Sequence, residues 1–392
     1  MSTQWTKQAA TILGGLLLTG TMAPRAVATA MGTVAGLSKV TRIGETAPGG
    51  VIVGGGQVGS DPSAPSHAFF SVNGVVTDLG TLGGSTSSAA AVNASGQVVG
   101  QSALPGDSST HAFLYSGGSL HDLGTLGGGF STATGINTSG QVVGQSVNAS
   151  GATRAFLDSG GTMTDLGTLG GPSSSAAGIN ASGQIVGQAG FAGGGTHAFL
   201  LSGGTMNDLG TLGGSSSFGY GINGAGTVVG QSYTTGDAAA HAFLDSHGVM
   251  TDLGTLPGFA SSVARSINDA GQVVGNSYGK VDPKTGAFLQ HAFLFDHGTL
   301  NDLNASLPAG SGWVLTEATS ISNAGSVAGF GLLNGQRQAF QLKLDGTANI
   351  PEPTTLALLG LILTGAGVRA IARMRRARAV LTLRATITRQ DV

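Results

Sequence analysis

The sequence predicts an all-β repeat fold, a β-propeller of four-stranded antiparallel blades. Three observations predict it. His-Ala-Phe recurs at His67, His111, His197, His241 and His291, with diverged copies at Arg154-Ala155-Phe156 and Gln338-Ala339-Phe340, in steps of 44, 43, 43, 44, 50 and 47 residues. Each step holds four short runs of strand formers separated by Gly, Ser and Asn. No segment between 40 and 346 sustains a 3.6-residue period, so helices are not expected there. Four strands per repeat of this length match a propeller blade.

In chain order, the first element reads as a secretory signal peptide over residues 1–30. Lys7 supplies the positive start, Ala9 to Ala23 is apolar, and Ala28-Thr29-Ala30 is a small-x-small cleavage site, which places the mature start at Met31. The repeat domain is expected over 37–346. Within one repeat, Ser87 to Val92 forms the first strand and Gly96-Gln97-Val98-Val99-Gly100 opens the second. His111 to Tyr115 forms the third, and Ser119 to Gly124 the fourth. The first hairpin turns at Asn-x-x-Gly (Asn93, Asn137, Asn180, Asn223, Asn268, diverged at Ser322). Asn can bond its own backbone two residues on, and Gly takes the positive φ. In the His-Ala-Phe strand, Ala faces one side and His and Phe the other, which suits sheets stacked on both faces. Seven copies of each hairpin, diverged ones included, predict seven blades. Six is the alternative if residues 37–60 only patch the closure. A β-solenoid fits less well, because the two hairpins of a repeat differ.

Composition narrows the function. Seventy glycines without a G-X-Y period argue for many tight turns rather than collagen. The formal charge of −2 hides a split: residues 31–350 carry 8 Lys+Arg against 17 Asp+Glu, while seven Arg and one Asp follow Pro353. An acidic repeat domain is a poor nucleic-acid surface, so no nucleic-acid partner is expected. With no cysteine, stability rests on packing.

The C-terminal elements are a linker over 347–353 ending in Pro351-Glu352-Pro353, an apolar run over 354–372, and a basic tail over 373–392. The apolar run is just long enough to span a membrane as one helix. Arg369, Arg373, Arg375, Arg376 and Arg378 flank it and stay on the cytoplasmic side, which puts the repeats outside.

This tail resembles the PEP-CTERM sorting signal of Gram-negative bacteria. That resemblance implies an exosortase-type sorting enzyme as partner and a cell-surface or secreted destination. The chain runs on past the arginines further than typical members. The repeat words His-Ala-Phe, Asp-Leu-Gly-Thr-Leu-Gly-Gly and Gly-Ile-Asn-x-x-Gly-Gln-Val-Val-Gly, over roughly residues 51–341, closely resemble the HAF family of bacterial extracellular repeats. That family brings no biochemical activity to carry over.

Residues that tempt as chemistry mostly repeat, and repetition marks scaffold. Asp78, Asp122, Asp165, Asp208, Asp252 and Asp302 are expected to cap turns rather than bind calcium, since no Asp-x-Asp loop accompanies them. The repeated histidines are too far apart for a zinc cluster and are expected to be hydrogen-bonding strand positions. Gly275-Asn276-Ser277-Tyr278-Gly279 spells a nucleophile elbow, but Pro283 and Gly286 leave no room for the helix it needs. No catalytic residue, cofactor or metal is therefore expected. Function should lie where repeats differ, in the inserts Ala103–Thr110, Ala189–Thr196, Tyr233–Ala240 and Tyr278–Gln290. Tyr233, Tyr278, Lys280, Asp282 and Trp313 are the candidate ligand contacts. The expectation is a non-catalytic binding or structural component of the envelope or extracellular matrix. Its partners would be surface polysaccharide or envelope protein, with the membrane reached through the C-terminal helix. The alternative is a carbohydrate-active hydrolase or lyase on the same scaffold, dependent on Glu317 or Asp282.

Overall fold

Each repeat, numbered 1 to 7 by its His-Ala-Phe copy, folds as antiparallel strands joined by tight turns. The computed structural model describes residues 27–30, 37–47, 51–58, 65–72, 75–283, 286 and 288–344, with backbone only for 27–30, 37–47 and 58. The predicted signal core, the linker over 347–353, the span over 354–372 and the basic tail lie outside the described residues. Among the described residues no helix is long and apolar enough to cross a membrane.

Repeat 4 shows why the sequence folds this way. Its strands are Gly170–Ile179, Ile185–Phe191, Thr196–Ser202 and Thr205–Asp208, side by side in that order. At the first turn Asn180 Oδ1 accepts from the backbone N–H groups of Ser182 and Gln184. Gly183 takes φ +78° there. At the second turn Gly203 and Gly204 both take positive φ, as a two-residue hairpin requires.

The repeats pack face to face. Phe of each of repeats 2 to 7 enters the joint with the preceding repeat and meets the Ala of that repeat's own motif. Phe113 thus shares a cluster with Ala68, Phe156 with Ala112, Phe199 with Ala155, Phe243 with Ala198, Phe293 with Ala242 and Phe340 with Ala292. All six of these phenylalanines are fully buried. The large-against-small alternation read from the sequence is therefore the packing rule of the joints. Each such Phe contributes roughly 1.5–3 kcal/mol by burial.

A further cluster joins Ile52 of repeat 1 to Ala328, Phe330 and Ala339 of repeat 7. The strand Leu37–Ala47 also packs against the strands of repeat 7. Last meets first, so the repeats close into a ring, which is the β-propeller. A solenoid would leave those two faces open.

The hydrogen-bonded sheets differ from the seven separate blades expected. Among the described residues there are five four-stranded sheets and one of eight strands. The eight-stranded sheet contains repeats 2 and 3, linked by one parallel bridge, Phe130 to Thr110. The bridge falls at Phe130, where repeats 4 and 5 carry Ser173 and Ser216. Repeat 7 supplies only three strands, Trp313–Ile321, Ser326–Leu333 and Gln336–Lys343, and its fourth is Val27–Ala30. That segment includes the predicted cleavage site, so cleavage after Ala30 would free the outer edge of Gln336–Lys343.

Buried serines satisfy backbone groups that the ladders leave over. Ala198 N–H, beyond the end of its short fourth-strand partner, donates to Ser217 Oγ of the next repeat (2.8 Å), and Ser217 donates to the Gly210 carbonyl (2.5 Å). One buried group is less well served. Asp245 Oδ1 accepts from Gly248 N–H, but Oδ2 is buried without a partner among the described residues. Burial raises the Asp245 carboxyl above its ordinary value near 3.8, against the opposing pull of the Gly248 N–H and of His247. A raised folded value favours the protonated form, so the penalty is absent below the unfolded value and grows as pH rises through the folded one. Asp245→Asn is therefore expected to melt like the parent at roughly pH 3 and to be more stable by about 1 kcal/mol at neutral pH. Thermal melts at both pH values check this, and an equal difference at both would refute it.

Candidate binding channel

The first strand of every repeat is innermost, and its irregularity builds the candidate site. Between Ala89 and Ala91, Ala133 and Gly135, Ala176 and Gly178, Gly219 and Gly221, Ala264 and Ser266, and Ala318 and Ser320, the register slips by one residue. Such a bulge re-aims the extra side chain. The bulged residues are Ala90, Thr134, Ala177, Tyr220, Arg265 and Thr319, and all six line one central channel of about 640 Å³.

The Asn turns frame one mouth of that channel. Each Asn caps its own turn, as the sequence predicts, and its Nδ2 also donates to the backbone carbonyl of the equivalent residue in the next repeat. The series runs Asn93 to Asn137 (3.0 Å), Asn137 to Asn180 (3.2 Å), Asn180 to Asn223 (3.0 Å), Asn223 to Asn268 (3.3 Å) and Asn268 to Ser322 (3.3 Å). Asp269 adds a second tie at this end, accepting from Gly224 N–H and Asn323 Nδ2 (2.7 and 2.6 Å).

The channel is not symmetric. Four of its six bulge positions hold Ala or Thr, and the adjacent repeats 5 and 6 hold Tyr220 and Arg265. The Thr134 hydroxyl is spent on the Ala176 and Val143 carbonyls, and that of Thr319 on the Ala328 carbonyl. The Arg265 guanidinium lies 5.2 Å from the centre of the Tyr220 ring, a cation–π distance. Arg265 is exposed to the channel and has no ion pair among the described residues. Burial raises the Tyr220 phenol above its ordinary value; Arg265 opposes this, and the phenols of Tyr278 and Tyr233 add to it. Sequence reading passed over both residues. The signal lay in aligning the first strands of repeats 2 to 7, where only these two are bulky at the bulge.

The contacts read from the inserts fare differently. All four inserts join second to third strands, so they emerge at the end opposite the Asn turns. Tyr233 is 37% exposed. The Tyr278 hydroxyl accepts from Gln231 Nε2 at 2.6 Å, which ties it into the joint between repeats 5 and 6. Lys280 Nζ sits 5.1 Å from the centre of the Phe259 ring. Asp282 follows at the strand end, half-buried. Trp313 is packed edge-on against Phe340 in the last joint, away from the others. Tyr233 and Tyr278 therefore gather near Tyr220, whereas Trp313 is half-buried against the joint between repeats 6 and 7.

The repeated acids and histidines form pairs. Asp Oδ1 accepts from the Gly N–H two residues on in repeats 1 to 5, the cap expected. The same carboxylate meets the His eleven residues before it at 2.7–3.1 Å, as in His197–Asp208 and His291–Asp302. Arg154 keeps this contact with Asp165 at 3.7 Å. Among the described residues no three such groups gather to hold a metal. Ser277, the elbow serine, lies inside the strand Val273–Val281, fully buried, accepting from Leu256 N–H. Glu317 Oε1 accepts from Gln290. Pro351, Glu352, Pro353, Arg369, Arg373, Arg375, Arg376 and Arg378 lie outside the described residues.

No family model and no curated protein matches this chain. Among solved structures, the β-propeller domain of the Trilobed protease from Pyrococcus furiosus is similar over 81% of this chain and 98% of its own, at 10% identity and a TM-score of 0.49. An oligogalacturonate lyase in complex with manganese is similar over 81% and 93%, at 10% identity and 0.47. TolB from Acinetobacter baumannii is similar over 64% of each chain, at 11% identity and 0.39. The fold assignment rests on the closed series of joints described above, independently of these likenesses.

Proposed function

We propose that this protein is an exported, surface-sorted, non-catalytic binding component of the bacterial envelope or extracellular matrix, and that its central channel is the binding site. The observation that carries the binding reading is the broken symmetry of the channel: Tyr220 and Arg265 stand where repeats 2, 3, 4 and 7 have Ala or Thr. A scaffold with no ligand has no need of a bare guanidinium there. The resemblances to HAF repeats and to the PEP-CTERM signal support the surface address. They also support sorting through Pro351-Glu352-Pro353 and the arginine cluster by an exosortase-type enzyme, with the membrane engaged through residues 354–372.

The test is retention of surface polysaccharide or envelope protein by the immobilised full chain, compared with the double variant Tyr220→Ala, Arg265→Ala. Retention by the parent, reduced at least about tenfold in the variant, is the expected result. Equal retention by both would remove the channel from the proposal, and no retention by either would sink the binding reading.

A further inference from the structure

The channel chemistry names a ligand class, an inference that rests on the binding reading above. We infer that the channel takes a carboxylate-bearing saccharide, such as a uronate unit, with its carboxylate on Arg265 and its hydroxyls on the neutral polar groups around it. Among the described residues Arg265 is the only basic side chain lining the channel, and no acid neutralises it. Asp269, the only acid in the lining among the described residues, is engaged by Gly224 and Asn323 at the mouth. The Tyr220 ring backs the guanidinium and limits its freedom, so less entropy is lost when a planar anion docks. A guanidinium presents a fork that matches a carboxylate in two parallel hydrogen bonds.

The other lining groups suit hydroxyls rather than charge. Gln188 contributes an amide and Thr138 a hydroxyl, the turn asparagines frame the mouth, and the remaining walls among the described residues are Ala, Val, Ile, Gly, Ser and Thr. Among the described residues the inner wall is poor in charge, with one cation set into it, which favours a neutral, hydroxyl-rich body carrying one anionic group at a time. The negative charge of residues 31–350 would repel a dense polyanion at long range, so recognition is local to Arg265.

The experiment is calorimetric titration of the purified full chain with three probes: a β-1,4-linked glucan hexamer carrying one glucuronate unit (the glucuronate hexamer), neutral cellohexaose and inorganic phosphate. The expected result is binding of the glucuronate hexamer only, weakened at least about tenfold by Arg265→Gln and partly restored by Arg265→Lys. Equal binding of cellohexaose would overturn the acidic class while leaving the binding reading intact. Phosphate competing as well as the uronate would overturn the saccharide and leave a simple anion site. If neither sugar binds while envelope material is still retained, the ligand class fails and the binding reading stands; if both fail, both are gone. Melting of Arg265→Gln at the parent temperature shows that the loss is not unfolding. Should that variant fail to fold, Arg265→Lys and, separately, Tyr220→Leu carry the same comparison, and unchanged uronate affinity in both overturns the inference.

Discussion

Alanine at Gly187 is expected to destabilise the protein by at least ~3 kcal/mol, at the upper end of overpacking costs. Gly187 sits in the second strand of repeat 4, opposite Ala176 on one side and Phe199 on the other. Its backbone is extended, so conformational freedom is not the reason for glycine. Space is: an added Cβ would collide with the Ser175 carbonyl oxygen and lie 2.9 Å from the Phe199 ring. The carbonyl belongs to the ladder and cannot rotate away, and the ring is fully buried. The same collision recurs at Gly100, Gly144, Gly230, Gly275 and Gly329, each against the backbone of the adjoining first strand. Gly129 is the control, since nothing lies within 4 Å of its added Cβ. Gly129→Ala should change stability by less than about 1 kcal/mol. Urea melts read both, and a lower midpoint at unchanged slope places the effect in the folded state. Comparable midpoints for the two variants would refute the packing account.

How much of this was legible beforehand depends on how far each interaction reaches along the chain. Strand positions and the Asn-Gly turns are local, and the residues alone announce them. The opposite faces of Ala and Phe follow from a period of two. The Asp caps span two residues and were read correctly. The pairing of His197 with Asp208 is eleven residues long and was read only as half of itself, as a hydrogen-bonding His and a capping Asp. The Asn180 bond to Asn223 is 43 residues long, and the turn alone already accounts for an Asn there. Sheet fusion at Phe130 depends on one bridge between repeats, which no period shows. The channel residues were missed for a different reason. Length variation marks the inserts in the sequence, whereas Tyr220 and Arg265 vary in kind at a fixed place, three residues before the turn at Asn223 and Asn268. Only the bulge, visible as a register slip, shows that this position leaves the sheet and faces the channel.

Phe199→Ala is expected to cost about 3–5 kcal/mol, the range for a fully buried aromatic cut to a methyl. Phe199 fills the joint between repeats 3 and 4 with Val143, Ala155, Ala176 and Ile185. Its partner across the joint is already an alanine, so nothing large is left to collapse into the void. Phe191, eight residues earlier, is the contrast. It is 37% exposed and stacks on His197 at 4.6 Å, so Phe191→Ala should cost less than about 1 kcal/mol. Closure of the ring adds a second expectation about how Phe199→Ala unfolds. In an open array a weakened joint lets the repeats on one side melt first, because each side needs only its own neighbours. Here the joint of Ile52 with Ala328, Phe330 and Ala339 holds the two sides together around the back. Losing one joint therefore strains the other joints at once. The variant should melt in a single transition, with tryptophan emission from Trp313 in repeat 7 following far-ultraviolet dichroism of the whole sheet structure. Two separated transitions would mean that the repeats behave as a linear stack, and the central channel with its Tyr220–Arg265 pair would lose the closed wall it depends on.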